Sequence, residues 1–334
     1  MSNSIFSPPL TRRRALAGLG ACAAVPLVPL ARPALAQTKL AALDIPSLAM
    51  PSLGAFPSPV IKEKGFDKAN GLDVTFQPKA AGIYRSDFAS GASPLGGSGS
   101  LLIDVGLVSE KGAKIIYLFN INDYWGTVAV PGASAIKTLK DLSGKKLAAA
   151  LPTSNYAIFR YFAKLSGLDL STVEVMNTSS TALVPMMVSG RVDGVQLWEP
   201  AYSILASKGD YRALDFIGLW RESNKVAAMP YQGIAAHEGW VKANPQLIPR
   251  LYAMYAQAAD FIESSPDEAG SIIAKASKTD PQTMADLIRS KRLGFNMYWA
   301  GEQRAATEAM FRAALEIGFL KDMPAPDVLF DKPV

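Results

Sequence analysis

The sequence predicts an α/β fold in which mainly parallel sheets are flanked by helices. Its length of 334 residues favours two domains. Apolar residues make up 49% of the chain, which is enough for real cores and too many for a disordered protein. In residues 40–130, β runs alternate with helical segments about every ten to fifteen residues, a pattern typical of parallel βαβ units.

The first set of units extends to about residue 130. Residues 40–45 form a short apolar run, and residues 72–76 alternate apolar and polar side chains, which indicates a strand with one solvated face. The run Gly96-Gly97-Ser98-Gly99-Ser100 is predicted to be a loop that leads into a helix over 101–111. Such a loop lets the backbone approach a ligand closely.

A second set of units begins near Ala135. It contains a strand at 147–151, the polar turn Thr153-Ser154-Asn155, an amphipathic helix at 156–165 and a strand at 192–198. This repetition of the strand–helix order predicts a second α/β domain.

The last third of the chain is almost entirely helical. Asn244-Pro245 is a cap followed by proline at the first helical position, and residues 265–268 have the capping-box pattern. The final long helix is predicted at 305–317, with Gly318 as its cap. We expect these helices to cover a sheet formed by earlier parts of the chain.

Charge and cysteine content exclude several classes of function. The formal net charge is +5, but residues 1–36 hold four arginines and no acid, and the remainder holds 30 basic and 29 acidic residues. This balance gives no reason to expect a nucleic-acid partner. The only cysteine is Cys22 and the only histidine is His237, so the body of the chain has no Cys/His zinc site and no thiolate nucleophile. We expect no metal and no cofactor.

Residues 1–36 have the order of a cleaved secretory signal. Arg12-Arg13-Arg14 precedes an apolar run at 15–30, and Ala34-Leu35-Ala36 offers small residues before Gln37, the predicted mature start. The paired arginines resemble the twin-arginine type. The sequence therefore predicts a periplasmic protein.

Two alternatives for this segment stay open. One is an uncleaved membrane anchor, although the apolar run is broken by prolines and is shorter than the ~20 residues that a spanning helix needs. The other is a lipobox at 19–22 with lipid on Cys22, although apolar residues rather than a polar tether follow it.

An ordered series of short motifs resembles ABC-transporter substrate-binding proteins of the nitrate/sulfonate/taurine (NitT/TauT) family. The motifs are a Pro-Ser loop at 45–59, Lys64-Gly65-Phe66 with Asn70-Gly71-Leu72-Asp73-Val74, residues 136–146, Gly167-Leu168-Asp169, residues 189–194 and Trp198-Glu199-Pro200-Ala201-Tyr202. Each motif is weak alone, but their order is specific. Ala92-Ser93-Pro94-Leu95 departs from the Val-Asp-Ile-Ala that is common in the family.

The resemblance implies a periplasmic-binding-protein type II fold with two lobes and a ligand cleft between them. Lobe I would consist of 37–130 and 233–334, and lobe II of 131–232. Such proteins close like a hinge on a ligand and deliver it to a membrane permease. We expect a monomer that has a small-molecule ligand and an inner-membrane ABC permease as partners.

Candidate ligand-binding residues lie in the polar turns expected at the strand ends. Ligands of open α/β sheets bind beyond the carboxyl ends of strands, and helix N-termini attract anions. The candidates are Ser52, Leu53, Ser98, Gly99, Ser100, Thr153, Ser154, Asn155, Thr178, Trp198 and Glu199. Their alternative interpretation is ordinary capped turns, with Trp198 in the core and Glu199 bracing the hinge. Arg85 and His237 are expected at the surface.

The sequence therefore predicts a non-catalytic receptor for a small organic ligand. The ligand is expected to be anionic, either a sulfonate or an aromatic acid. Two other functions stay open: a protein related to thiamine-pyrimidine-precursor binding or synthesis, and an extracytoplasmic sensor module. The chemistry of precursor synthesis uses histidine and cysteine in the resembling proteins, which the body of this chain nearly lacks.

Overall fold

Three β-sheets organise the computed structural model, which describes residues 40–333. The predicted signal segment and Cys22 lie outside the described residues. The strands are β1 Ala41–Leu48, β2 Leu72–Lys79, β3 Leu95–Ser100, β4 Ile115–Asp123, β5 Gly126–Pro131, β6 Lys146–Ala149, β7 Glu174–Asn177, β8 Gly194–Trp198, β9 Tyr211–Ala213, β10 Pro230–His237 and β11 Phe295–Trp299.

Helices cover these sheets and dominate the last third, as predicted. The two predicted caps there are wrong: the long helix expected after Asn244 begins only at Ile248, and the Ser265 side chain makes no capping hydrogen bond. They are α1 Pro57–Lys64, α2 Phe66–Ala69, α3 Ala81–Ser90, α4 Val108–Glu110, α5 Ser154–Ser166, α6 Leu183–Val188, α7 Ala201–Ala206, α8 Gly218–Asn224, α9 Glu238–Ala243, α10 Ile248–Ser264, α11 Pro266–Ser277, α12 Pro281–Arg289 and α13 Arg304–Glu316. A π-helical segment, Leu101–Leu107, runs directly into α4. Among the helices of residues 40–333, none combines the length and apolarity needed to span a bilayer.

The first lobe contains two sheets. Strands β1 and β2 pair in parallel, and a four-stranded sheet has the order β11-β4-β10-β3 with antiparallel neighbours. The Leu48 amide donates to Ser98 Oγ at 3.1 Å and so connects the end of β1 to β3. The sheets of this lobe are thus mixed rather than mainly parallel, because β10 returns from the second lobe and runs against both of its neighbours.

The second lobe is one five-stranded sheet with the order β7-β6-β8-β5-β9. Strand β6 pairs in parallel with β7 and β8, whereas β5 runs antiparallel to β8 and β9. The predicted lobe boundary at 130/131 cuts through β5, which belongs wholly to this sheet. Since β10 starts the return into the first lobe, we propose that lobe II spans 126–229 and that lobe I takes the rest of the described chain.

The predicted glycine loop at 96–100 is wrong, because these residues form the buried strand β3. A side chain at Gly97 would overlap Ile45 of β1, and one at Gly99 would lie 3.1 Å from the Gly233 carbonyl oxygen of β10. Strand β3 therefore needs small residues in order to fit between its neighbours. The helix predicted at 101–111 is π-helical over most of its length.

One apolar core continues from the first lobe into the second. Its buried members include Leu102 and Val105 of lobe I, Phe159 and Phe162 of α5, and Met310 of α13. Helix α13 thus packs on the second lobe although it follows the first-lobe strand β11 in the chain. Two polar contacts fix this packing: Arg160 Nη2 donates to the Ile317 carbonyl oxygen at 2.7 Å, and Lys164 pairs with Glu316 at 2.8 Å.

Candidate functional site

A cleft of about 910 Å³ lies between the two lobes. Lobe I lines it with the loop after β1, the start of α3, the residues after β3, and β10. Lobe II lines it with the first turn of α5, helix α6 and the segment from the end of β8 into α7. The described chain therefore places strand ends and helix starts of both lobes around one space, as expected for a ligand site in an α/β protein.

Six of the eleven candidate residues line this cleft: Ser52, Ser100, Thr153, Ser154, Asn155 and Trp198. The other five, Leu53, Ser98, Gly99, Thr178 and Glu199, are absent from its walls. Ser98 and Gly99 are held inside β3, where Ser98 Oγ already accepts from the Leu48 amide. Leu53 is buried in a 3-10 turn, and Thr178 donates its amide to the Ala149 carbonyl oxygen after β7.

Glu199 lies outside the cleft and braces the two lobes. Its side chain is fully buried, and it accepts hydrogen bonds from the amide and hydroxyl of Ser203. Its third donor is Arg292 Nε of lobe I, at 2.6 Å. The Arg292 guanidinium also lies over Trp125 and Tyr202, 5.5 Å and 5.4 Å from their ring centroids. We call this set of contacts the Glu199–Arg292 latch. Both carboxylate oxygens of Glu199 accept hydrogen bonds within it. The latch therefore supports a role for Glu199 in bracing the hinge rather than in binding a ligand.

The floor of the cleft is a polar junction between the lobes. Ser100 Oγ of lobe I donates to Ser154 Oγ of lobe II at 3.2 Å. Asn155 Nδ2 donates to Tyr231 Oη at 2.7 Å, again from lobe II to lobe I. All four side chains are buried, so closure of the lobes desolvates polar groups that have found partners.

The N-terminus of α5 opens onto this floor. Thr153 is the N-cap, and its Oγ1 accepts from the Tyr156 amide at 3.1 Å while donating to the Ala150 carbonyl oxygen at 2.7 Å. The amides of Ser154 and Asn155 belong to the first turn, where helical acceptors are lacking. The Thr153 hydroxyl therefore orients the helix, and the two amides are the groups available to a ligand.

Asp104 is a cleft residue that is absent from the candidates predicted from the sequence. It lies in the π-helical segment after β3, is 2% exposed, and accepts from the Ser100 amide through Oδ2 at 2.7 Å. Burial raises the pKa of this carboxyl to about 6, although the Ser100 amide and the Arg85 charge partly oppose that rise. The signal in the sequence was an isolated acid inside the apolar run Leu101-Leu102-Ile103-Asp104-Val105.

Arg85 lines the cleft instead of facing solvent as expected. It is half-buried on α3, and its positive charge lowers the pKa of both Asp104 and Tyr231. Two more cations line the cleft: Lys79 pairs with Asp87 at 2.6 Å, and Lys208 is exposed just after α7. Arg85 is therefore the cleft cation that is best placed to meet an anionic group of a ligand.

The remaining walls are largely apolar. Lobe I contributes Leu48, Met50, Pro51 and Tyr84, and lobe II contributes Val184, Pro185, Val188, Trp198, Pro200 and Ile204. Val188 is 49% exposed, unusual for a large apolar side chain in this protein. The cleft thus combines apolar walls with a small set of polar groups on its floor, a composition typical of sites for small organic molecules.

Three comparisons with known proteins agree with this architecture. The family model described as NMT1/THI5 like matches residues 57–269. A Brucella abortus (strain 2308) protein, named provisionally as a binding protein, is 25% identical over 224 residues, which are 66% of this chain and 67% of that protein.

Two solved structures share the fold. The periplasmic aliphatic sulphonate binding protein SsuA from Escherichia coli superposes with a TM-score of 0.73 at 17% identity and covers 88% of this chain and 92% of its own. The alkanesulfonate-binding protein SsuA from Xanthomonas axonopodis pv. citri, bound to MOPS, gives a TM-score of 0.69 at 19% identity, with 86% and 98% covered. At these identities the likeness establishes the two-lobed fold.

Proposed function

The chain belongs to the NMT1/THI5-like family, and from that premise we propose that it is an extracytoplasmic solute-binding receptor of an ABC importer. The observation that carries the proposal is the cleft of about 910 Å³ whose walls come from both lobes. A molecule held there contacts lobe I and lobe II at once, so its binding energy favours the closed arrangement.

We propose that the ligand is a small organic anion with an apolar or flat body. Trp198 and the aliphatic side chains of α6 suit such a body, because a tryptophan face offers a large rigid contact. The Ser154 and Asn155 amides at the start of α5, together with Arg85, suit a carboxylate or sulfonate. The names of the two SsuA relatives, which bind sulfonates, support this ligand class.

We further propose that the mature protein is a periplasmic monomer that starts at Gln37 and docks on its permease after hinge closure. N-terminal sequencing of protein secreted by its own host tests the first part. A start at Gln37 is expected, whereas Met1 at the terminus, or lipid on Cys22, contradicts it.

We propose a receptor rather than an enzyme, even though the resembling family includes proteins of thiamine-pyrimidine-precursor synthesis. His237 Nε2 lies 2.7 Å from the Phe88 carbonyl oxygen and is absent from the cleft lining, so it is unsuited to acid–base chemistry on a bound ligand. Mass spectrometry of a ligand incubated with the protein tests this point: the ligand should be recovered unchanged and in stoichiometric amount.

A thermal-shift screen tests the receptor function itself. The panel contains alkanesulfonates, MOPS, aromatic acids, nitrate and pyrimidines, and a ligand raises Tm with the logarithm of its concentration over Kd. The best ligand is then titrated by calorimetry into wild-type protein, Trp198→Ala and the control Trp240→Ala. We expect Trp198→Ala to weaken binding by about 1–3 kcal/mol. Trp240 is half-buried on α9 and absent from the cleft, so its variant should bind normally.

A further inference from the structure

Asp104 is a buried carboxylate, and one of its two oxygens has no hydrogen-bond partner among residues 40–333. Oδ2 accepts from the Ser100 amide at 2.7 Å, whereas Oδ1 is buried and has no hydrogen-bond partner among residues 40–333. In the same part of the chain, no lysine, arginine or histidine nitrogen comes within 4.0 Å of this carboxylate. Burying a polar atom without a partner costs free energy, so each such atom calls for an explanation.

Two further acceptor oxygens of the cleft lining also have no donor among residues 40–333. Gln232 faces Ser100 across the β10–β3 pair, is 6% exposed, and its Oε1 has no partner within the described chain. Asn155 uses its Nδ2 on Tyr231 Oη, which leaves Oδ1 buried and unpartnered. All three residues line the cleft. The floor therefore presents more acceptors than the protein's own donors satisfy.

A molecule that binds in the cleft can supply the missing donors. A purely anionic ligand has none to offer, and its charge would be repelled by an ionised Asp104. A nitrogen that carries hydrogens satisfies an acceptor carboxylate directly, and a charged nitrogen forms the stronger bond.

We propose that Asp104 is the specificity-determining residue of the cleft and binds an N–H-donating group of the ligand, such as an ammonium, an amidinium or a ring amine, with Gln232 and Asn155 accepting its remaining hydrogens. This inference rests on the receptor function and adds a second requirement to it. The preferred ligand carries a nitrogen donor for the Asp104 end of the floor as well as an acidic group for Arg85 and the α5 amides.

The same contact makes recognition dependent on pH. Helix α3 presents Arg85 and Tyr84 to Asp104, and β10 presents Tyr231. Burial raises the pKa of both tyrosines above 10, so they stay neutral. The Asp104 carboxyl has a pKa of about 6 and is the group among these that changes charge near neutrality. A cationic ligand therefore binds less tightly as the pH falls below about 6.

Matched ligand pairs that differ by one amino group test the inference. The pairs are 4-aminobenzoate with benzoate, 4-aminobenzenesulfonate with benzenesulfonate, and phenylalanine with 3-phenylpropionate. Each is titrated at pH 7.5 into wild-type protein, Asp104→Asn and Asp104→Leu. The control is Asp44→Asn, which makes the same charge change at an exposed site in lobe I.

We expect wild-type protein and Asp44→Asn to prefer the aminated member of the best-bound pair by tenfold or more, and both Asp104 variants to lose that preference. Equal binding of the two members, or a preference that survives in Asp104→Asn, overturns the inference while leaving the receptor function intact. If no member of any pair binds wild-type protein but other compounds of the wider panel do, the inference also fails. If nothing in either panel binds, the receptor function fails with it.

Discussion

Two buried acids, Glu199 and Asp104, lie at the junction of the lobes and have opposite surroundings. Glu199 is 0% exposed and receives three hydrogen bonds, one of them from the Arg292 guanidinium. Asp104 is 2% exposed and receives one, from a backbone amide. Burial alone therefore does not separate a structural carboxylate from a binding one. The supply of donors from the protein does.

Arg292→Met gives the largest expected effect, because it removes the cation of the Glu199–Arg292 latch and leaves Glu199 buried without its counter-charge. Breaking a buried pair from one side typically costs about 3–5 kcal/mol. Urea denaturation at pH 7 measures the loss. The control is Arg289→Met, whose partners Asp267 and Asp286 are largely exposed and which should cost under about 1 kcal/mol. Equal losses of stability in the two variants would contradict the structural role of Glu199.

Asp104→Asn is expected to stabilise the unliganded protein at pH 8 by about 2 kcal/mol. The folded pKa of about 6 exceeds the ordinary 3.8. The stability that Asp104 contributes is therefore fully present below pH 3.8 and is lost as the pH rises through 6. That shift corresponds to about 3 kcal/mol at most, and the unpartnered amide nitrogen of the variant offsets part of it.

Thermal unfolding at several pH values checks this second prediction. The difference between wild-type protein and Asp104→Asn should shrink from pH 8 to pH 4. A variant that is less stable than wild type at pH 8 would mean that donors from the protein stabilise the ionised Asp104 carboxylate. The proposed difference between Asp104 and Glu199 would then be wrong.

Ser203→Ala tests how much one neutral donor to Glu199 contributes to stability. It removes a hydroxyl that donates to Glu199 Oε1 at 3.1 Å and accepts from Arg292 Nη2 at 3.1 Å, but it keeps the ion pair. We expect a loss of about 1 kcal/mol in urea denaturation. Ser207→Ala is the control, because Ser207 Oγ only donates to a carbonyl oxygen of its own helix and is exposed.

Lys146→Met tests the opposite extreme, an ion pair in solvent. Lys146 and Glu174 lie 3.9 Å apart, and their side chains are 54% and 63% exposed. Removing the lysine should change the free energy of unfolding by less than about 0.5 kcal/mol. A larger loss in the same assay would mean that burial does not explain the large effects of Glu199 and Asp104 on the free energy of unfolding.

Local signals in the sequence predicted many strands and helices, and residue type accounts for several helix ends. Gly65, Gly91 and Gly167 all end helices in the left-handed conformation, and Thr153 caps α5 through its hydroxyl. These features depend on backbone geometry within a few residues, which residue type largely determines. The helical last third is confirmed, although the caps predicted at Asn244 and Ser265 do not form.

Features that depend on distant residues escaped prediction. Arg292, the charged partner of Glu199, is 93 positions away in the sequence. The orientation of the Glu199 side chain away from the cleft is therefore visible only in the fold. Strand β3 has the low intrinsic β-propensity of Gly and Ser and exists because its neighbours leave room for nothing larger. Asp104 follows that strand on a π-helical turn, which changes the face on which a side chain points relative to the expected period of 3.6.

The apolar core that runs from lobe I through α5 to α13 bears on how the molecule responds to heat. Because the lobes share one of their apolar clusters, unfolding of either lobe exposes side chains that the other lobe helps to bury. The chain should unfold cooperatively, with calorimetric and van't Hoff enthalpies nearly equal. A guest held in the groove then protects distant segments, including the C-terminal helix, from hydrogen exchange through global opening.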